Sequence, residues 1–368
     1  MISKQSQKGG DSSTNIQAEQ LVVNMGIDEK RAREIYQEMN LQLKREYSQE
    51  ALDIANARVA EFENSLLPKM NSVEGAMEAF ADPSFQLLLV DAQKAAAATE
   101  RPADYELLSE LLVHRFKKGD DRTIRAGINR AVEIVDEISD EALLGLTVAH
   151  SVTSFFPVSG DINSGLDILD GLFGKILYNE LPNGNSWLDH LDVLNAMRLN
   201  SFGSMKKMEQ YYSEALSGYV DVGIKKNSDS HIQALEILRS NDLPEILLIE
   251  HSLNDEFVRL QVTDKTQIKE LKLNKQFVNN GVIFEVPIAL SPVQIEAIIN
   301  VYDLYLNDSQ IKQQNINSFM DEWEKRENLR ILRSWWDSIN TSFQLTSVGK
   351  VLAHSNAQRC DNRLPSLN

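Results

Sequence analysis

Apolar side chains that recur every three or four residues are the feature that most limits the folds open to this chain. The stretch SQEALDIANARVAEFENSLL, which begins at Ser48, carries five such positions: Leu52, Ala55, Val59, Phe62 and Leu66. Residues at this spacing share one face of an α-helix, and that face must pack against another element. Comparable patterns continue to about residue 225, so we predict a multi-helical domain over residues 25–225 with no convincing sheet.

Helix-start signals predict individual helices both before and after residue 225. Asp82 is a predicted N-cap, followed by Pro83 at the first helical position, where the missing N–H costs nothing. Further along, Ser291 and Gln294 have the spacing of a capping box around Pro292. Both sites are therefore predicted helix N-termini.

The composition changes at VGIKKNSDS, residues 222–230, which predicts a domain boundary. The segments EFVRLQV and GVIFEVPIAL that follow are rich in β-branched residues and are predicted strands. After further helices come a predicted strand, FQLT, and a predicted helix, SVGKVLAHSNAQR. The fold class expected is therefore mainly α: a helical domain and then a smaller α+β module over residues 226–363, with a tail at 364–368. The helix–helix–hairpin–helix order at its end resembles a winged helix.

Size and composition bound the class of protein. At 368 residues the chain is long for one core, which favours two domains. Its single cysteine, Cys360, excludes an internal disulfide framework and indicates a reducing compartment. The first twenty residues are polar, and the best membrane candidate, residues 142–159, is short and polar for a span. We therefore expect a cytoplasmic protein that does not enter membranes.

A net charge of −17 opposes binding to nucleic acid, but the C-terminal segment is a local exception. From Lys325 to Arg363 there are seven basic residues and three acidic ones. Four of the basic residues are candidate nucleic-acid-binding residues: Arg326, Arg330, Arg333 and Lys350. The alternative is that the nearby Trp323, Trp335 and Trp336 belong to the core while the arginines pair with acidic residues. The overall charge favours this alternative.

No catalytic or metal-binding constellation emerges from residue spacing. His190 lies beside Asp189 and Asp192, but residues one and two apart on a helix do not face each other. One stretch, PEILLIEHSLNDE, places acidic residues close to His251: Glu245, Glu250, Asp255 and Glu256. Such clusters occur by chance in an acidic chain, so we predict no catalytic residue, no metal and no cofactor, and we lean against an enzyme.

The first 24 residues have the composition of a flexible leader that ends in a β-prone segment. Glycine, serine and asparagine dominate its first half, and a segment rich in β-formers follows. An exposed segment of this kind can pair with a copy of itself or with a partner's sheet edge. The candidate partner-binding residues are Ile16, Gln17, Leu21, Val22 and Val23.

Two resemblances bear on function. The segment STNIQAEQLVV resembles the homotypic interaction motif of receptor-interacting kinases and the amyloid-signalling segments of bacterial defence proteins; Ile16 and Gln17 match, whereas Ala18 and Glu19 depart from the motif. GDSSTNIQA, ADPSFQLLLVDAQKAAAA with LLSELLVHR, and LTSVGKVLAHSNAQR together resemble an uncharacterised family of bacterial cytosolic proteins. That resemblance implies a setting in phage-defence or mobile-element loci, and it transfers no functional residues.

Three functions are therefore expected, in this order. The first is a bacterial interaction or regulatory protein in antiphage defence, which acts through protein–protein contact and self-assembly as a homo-oligomer. The second is a nucleic-acid-binding sensor that uses the basic C-terminal segment. The third is a hydrolase or nuclease built on the carboxylate and histidine cluster.

Overall fold

The computed structural model describes residues 27–40, 49–200, 203–279 and 282–367, without the side chains of 275–284. Over these residues the fold is mainly α with a small α+β module, as predicted. The helices are α1 (Glu29–Asn40), α2 (Gln49–Asn71), α3 (Pro83–Ala98), α4 (Pro102–Lys118), α5 (Arg122–Glu133), α6 (Asp140–Ser154), α7 (Ile162–Ile176), α8 (Ser186–Val193), α9 (Met208–Ala215), α10 (Ser217–Val220), α11 (Asp229–Ser240), α12 (Pro292–Tyr302), α13 (Ser309–Glu324), α14 (Glu327–Ser338) and α15 (Ser347–Cys360).

The strands are short and separate into three small sheets in the described part of the chain. They are β1 (Met197–Asn200), β2 (Ile224–Lys225), β3 (Leu248–Glu250), β4 (Phe257–Leu260), β5 (Lys272–Asn279), β6 (Val282–Ala289) and β7 (Ser342–Leu345). The predicted strands in EFVRLQV, GVIFEVPIAL and FQLT correspond to β4, β6 and β7. Short 3-10 helices cover Ala76–Ala81, Glu245–Leu247 and Thr266–Glu270.

The larger core belongs to the helices, and the caps that the sequence predicted start two of them. The Asp82 carboxylate accepts a hydrogen bond from the Phe85 N–H at 2.8 Å, and Ser291 and Gln294 form the predicted capping box. Helix α15 packs against α4, α5 and α6, which places its middle in the core. The apolar stripe of α2 is buried as predicted from Ala55 to Leu66, whereas Leu52 at its start is half-buried.

A second, smaller core lies within residues 224–305, which we call the small module. Its sheet has the order β2–β4–β3, antiparallel throughout, and α11 and α12 pack together beside it. Strands β5 and β6 form a hairpin with Lys272 opposite Ala289. The core starts close to the predicted boundary at residue 225, but it ends at Tyr302, well before residue 363.

The C-terminal elements differ from the predicted winged-helix order. Strand β7 pairs with β1, with Met197 opposite Leu345, instead of forming a wing hairpin with its own neighbours in residues 309–367. Buried side chains from Phe319 to Ala357 belong to the larger helical core. This pairing arises because β7 and the start of α15 meet the segment before β1: the Thr346 N–H donates to Ala196 O at 3.1 Å.

Strand β1 itself corrects the prediction of no sheet before residue 225. The segment WLDHLDVLNAMRL was expected to be helical throughout, but α8 ends at Val193. Asn195 has a φ of 57°, in the left-handed region that asparagine tolerates better than most residues. The helix is thereby interrupted, and the chain leaves it as an extended strand.

A buried arginine joins the small module to the helical body. The Arg259 side chain, on β4, donates hydrogen bonds to the carbonyl oxygens of Gly218, at 3.0 Å, and of Gly160. It also donates to the carbonyl oxygens of Leu260 and Val262 within the module. Backbone carbonyls rather than a carboxylate therefore hold this charge at the junction.

None of the helices described is both long enough and apolar enough to cross a membrane.

Candidate functional site

Exposed apolar side chains gather at the end of α6, where they border a groove of about 640 Å³. We call this cleft the apolar groove; its walls include Phe156, Val158, Ile168, Gly171, Leu172 and Leu364. Val158 is 81% exposed, Ile168 49% and Phe156 40%. A concave surface that leaves several large apolar side chains in water is typical of an interaction site.

The sequence builds one wall of the groove by ending a helix early. Helix α6 stops at Ser154, and the chain runs extended through Phe155 to a proline, Pro157, that has no N–H to continue a helix. Helix α7 then starts at the Asp161 cap, whose carboxylate accepts from the Ser164 N–H at 2.8 Å. Consecutive apolar residues are thereby held outside any helix, facing the exposed side of α7.

The opposite wall is the segment after α15, which is held in place by ion pairs between side chains. The Asp361 carboxylate accepts hydrogen bonds from Lys175 of α7 at 2.8 Å and from Arg363 at 2.7 Å. These two cations, with Arg363 first, keep the pKa of Asp361 well below its usual range. A further pair at the rim joins Asp167 to Arg326 at 2.7 Å. Each of these charges therefore already has a partner of opposite sign.

A chain of hydrogen bonds through two buried histidines links the two walls. Ser154 and Pro365, which both line the groove, are its ends. The Ser154 Oγ lies 3.2 Å from His150 Nδ1, His150 Nε2 lies 3.1 Å from His354 Nδ1, and His354 Nε2 lies 2.9 Å from the Pro365 oxygen. A third histidine, His114, packs against His354 with ring centroids 5.6 Å apart.

The donors in this chain follow from its last acceptor. The Pro365 carbonyl can only accept, so His354 donates from Nε2, and a neutral ring then accepts at Nδ1. His150 therefore donates from Nε2 and accepts at Nδ1 from the Ser154 hydroxyl. Burial lowers the pKa of His150 to about 3, which makes its ring too weak a base to activate Ser154 at neutral pH. We assign the histidines a positioning role.

Sequence reasoning missed this histidine cluster. His114, His150 and His354 lie on α4, α6 and α15, and the sequence places them far apart. Each is also buried. Of the two histidines considered from the sequence, His190 accepts a hydrogen bond from the Ser139 N–H, and His251 lies in the small module. No helical spacing connects residues on three different helices, so no sequence signal could have found the cluster.

The candidate nucleic-acid-binding residues separate into two kinds. Arg326 and Arg333 are engaged by acidic groups: Arg326 by Asp167, and Arg333 by Glu324 at 2.7 Å and Glu209 at 3.5 Å. Such pairing is what the alternative interpretation predicted for these arginines. The three tryptophans of that interpretation, Trp323, Trp335 and Trp336, are buried.

Arg330 and Lys350 are of the second kind. Both are exposed, and neither has a salt bridge to another residue of the described chain. Lys350 borders a different cleft, with Gln344 and Lys206. The structure thus does not gather the four residues into one basic surface of unpaired charges.

The carboxylate and histidine cluster does not form a shared site. Glu245 pairs with Arg239 at 2.5 Å and Glu250 with Lys226 at 2.8 Å, whereas His251 is buried and hydrogen-bonds to the Asp221 carbonyl at 2.9 Å. Across residues 27–40, 49–200, 203–279 and 282–367, no group of three or more His, Cys, Asp or Glu side chains could hold a metal ion. The candidate partner-binding residues Ile16, Gln17, Leu21, Val22 and Val23 lie outside the described residues.

Comparison with known proteins gives a family but no activity. The model of an uncharacterised protein family matches residues 26–365. This match covers the helical body, the small module and the apolar groove. No curated protein and no solved structure matches the chain. Because the family model covers nearly its whole length, the chain belongs to this uncharacterised family.

Proposed function

We propose that this protein acts by binding, and that its apolar groove receives the leader of a second copy of the same chain. The observation that carries the proposal is the groove itself, with Phe156, Val158 and Ile168 left exposed around it. Docking an apolar segment would remove these side chains from water, which favours association by roughly 25 cal/mol for each Å² buried. The segment proposed as occupant is Leu21, Val22 and Val23.

Charge supports this choice of occupant. The rim charges of the groove are already paired, Lys175 and Arg363 with Asp361 and Arg326 with Asp167. A charged segment would meet charges that already have partners, and it would lose its hydration. Residues 20–26, QLVVNMG, carry no charge and include three branched apolar side chains. An uncharged apolar segment is therefore the best match to the groove.

Connectivity favours docking between copies over docking within one. Leu21 to Val23 lie at most six residues before Ile27, which limits their reach from Ile27 to roughly 20 Å. The helix that follows Ile27, α1, packs against α2 and α3, whereas the groove is bounded by α6, α7 and the segment after α15. The groove of another molecule is subject to no such limit.

The experiment compares the molar mass in solution of the full chain and of variants, by size-exclusion chromatography with light scattering. We expect the full chain to self-associate and residues 27–368 to be monomeric. Ile168→Asp places a charge in the groove and should weaken association at least about tenfold, or about 1.4 kcal/mol. Leu87→Asp is the matched control, because Leu87 is 70% exposed on α3, outside the groove.

Gly171→Trp tests the groove without removing any contact. A Cβ at Gly171 would have no other atom within 4 Å, so a large side chain there should obstruct the groove and leave the fold intact. Self-association that persists in this variant, or a full chain that is monomeric at all concentrations, would rule out the proposal.

Antiphage defence is the setting that we propose for this assembly, on the sequence resemblance. Phage should form fewer plaques on bacteria that express the chain, and Ile168→Asp should abolish that protection while Leu87→Asp keeps it. Protection that is absent for the unchanged chain, or equal for both variants, would contradict a defence role that depends on the groove.

Nucleic-acid binding stays a second proposal, supported by the exposed and unpaired Arg330 and Lys350. If it is right, affinity for duplex DNA should fall steeply with salt and should be reduced by Arg330→Ala with Lys350→Ala. Affinity that does not change in this double variant would remove the proposal.

A further inference from the structure

A second cleft, away from the apolar groove, has two arginines in its walls. It measures about 470 Å³ and lies between the start of α3, the end of α4 and the start of α5. Its polar lining consists of Ser84, Arg115, Arg125, Asp82 and Asp120. A cleft of this size is within the range that binds small molecules.

Arg115 is buried in this cleft with part of its hydrogen-bonding capacity unused. The residue is 8% exposed, and one of its terminal nitrogens, Nη2, donates to Ser84 Oγ at 2.8 Å. Its Nε is buried and has no hydrogen-bond partner within the described residues. A buried donor of this kind costs free energy unless a partner arrives.

The backbone makes room for this guanidinium. Gly119 ends α4, and a Cβ at that position would lie 1.8 Å from Arg115 Nη1. A side chain at residue 119 would therefore displace the arginine from its present position. The absence of a side chain there keeps the guanidinium in the wall of the cleft.

Neither arginine of the cleft has an acidic partner at salt-bridge distance in the described chain, although most arginines of this acidic protein do. Ser84 lies between Arg115 and Asp82, because its hydroxyl hydrogen-bonds to both side chains. Burial lowers the pKa of Arg115, and the nearby positive charge of Arg125 lowers it further, whereas Asp82 and Asp120 act in the opposite direction. An anion between the arginines would relieve this repulsion.

The surroundings of the cleft are also basic. Residues 115–125, RFKKGDDRTIR, contain five basic residues and two acidic ones in a chain whose net charge is −17. Lys117, Lys118 and Arg122, like the two arginines of the cleft, form no salt bridge with another described residue. The local charge therefore attracts anions where the protein as a whole repels them.

We propose that this cleft binds the phosphate group of a small metabolite, with Arg115 and Arg125 as its ligands and Ser84 as a further hydrogen-bonding group. Guanidinium groups recognise phosphate through parallel hydrogen bonds, and both arginines line the cleft without an acidic partner at salt-bridge distance in the described residues. The cleft volume leaves room for more than a phosphate group alone.

Isothermal titration calorimetry of the full chain tests this inference, with sodium pyrophosphate as the probe at constant ionic strength. We expect saturable binding to one site. Arg125→Ala should weaken it at least about tenfold, or about 1.4 kcal/mol. Arg122→Ala is the matched control, because it removes the same charge from the same helix but does not line the cleft, and it should change affinity less than about twofold.

Three results would overturn the inference. One is the absence of pyrophosphate binding at a concentration of about 10 mM, because a dissociation constant above that value is too weak for a specific site. Another is equal loss in Arg122→Ala and Arg125→Ala, which would indicate a diffuse charge effect. The third is tighter binding of citrate than of pyrophosphate, which would exclude phosphate as the preferred group. Arg125 is half-buried, and an unchanged circular dichroism spectrum checks that its variant folds.

Discussion

The buried ionisable side chains show most directly how this fold treats single residues. Burial lowers the pKa of His114 and of His251 to about 4 and that of His150 to about 3, and it also lowers the pKa of His354. Each ring is uncharged in the folded state near neutral pH, and its nitrogens form hydrogen bonds. Burial of a neutral histidine is compatible with stability, whereas its protonation is not.

The free energy of unfolding should consequently decrease as the pH is lowered. Between about pH 6.5 and pH 4, these histidines are protonated in the unfolded state but not in the folded state, so the unfolded state binds more protons. For His114 the loss between pH 6.5 and pH 5 should be about 1–2 kcal/mol. Urea unfolding at both pH values measures it, and His114→Gln should reduce the pH dependence. A difference between the two pH values that is the same in His114→Gln and in the unchanged chain would contradict the assignment.

Arg259 gives a second prediction for a single residue. Its guanidinium is fully buried and donates to four carbonyl oxygens across the junction of the two cores. Arg259→Ala leaves those carbonyls without a donor and should lower the free energy of unfolding by about 3 kcal/mol. Arg239→Ala, which removes a solvent-exposed pair with Glu245, should cost much less, because water screens that pair. Equal costs in urea unfolding would show that Arg259 does not hold the junction.

At the scale of elements, local sequence signals predicted where helices start and whether a segment is helix or strand. Contacts between distant residues decided which elements pair. Asp82–Pro83 and the Ser291 capping box mark helix starts because the cap and the helix it serves are adjacent in sequence. Strand β1 and its pairing with β7 could not be predicted, since their register joins residues about 145 positions apart. The prediction of a winged helix was wrong for the same reason, because the order of elements along the chain does not specify which strands pair.

Two helical glycines provide a matched test of element packing. A Cβ at Gly349, in α15, would lie 1.9 Å from the Ala196 carbonyl oxygen, just before β1. Gly349→Ala should therefore force α15 away from β1 and cost about 2 kcal/mol. In α7, Gly171 faces open space, and Gly171→Ala should stabilise the chain by about 0.5–1 kcal/mol through helix propensity. Urea denaturation measures both, and a neutral Gly349→Ala would contradict the close approach of α15 to Ala196.

For the whole molecule, composition predicted the class but not the surfaces. A mainly α fold with two cores was within reach of periodicity and length. The apolar groove was not, because its walls come from residues 154–175 and 361–365, which the fold alone brings together. The leader and the basic C-terminal segment were the candidate surfaces that the sequence could indicate, since composition is a local property. In the function that we propose, groove and leader together link the molecule to copies of itself.

Cross-linking between two copies tests that link most directly. In a background with Cys360→Ser, chains carrying Val22→Cys are mixed with chains carrying Val158→Cys and oxidised mildly. The account predicts disulfide-linked pairs of the two different chains, and far fewer when Val158→Cys is replaced by Val193→Cys, at a residue 76% exposed outside the groove. Equal yields at residues 158 and 193, or no linked pairs at all, would contradict it.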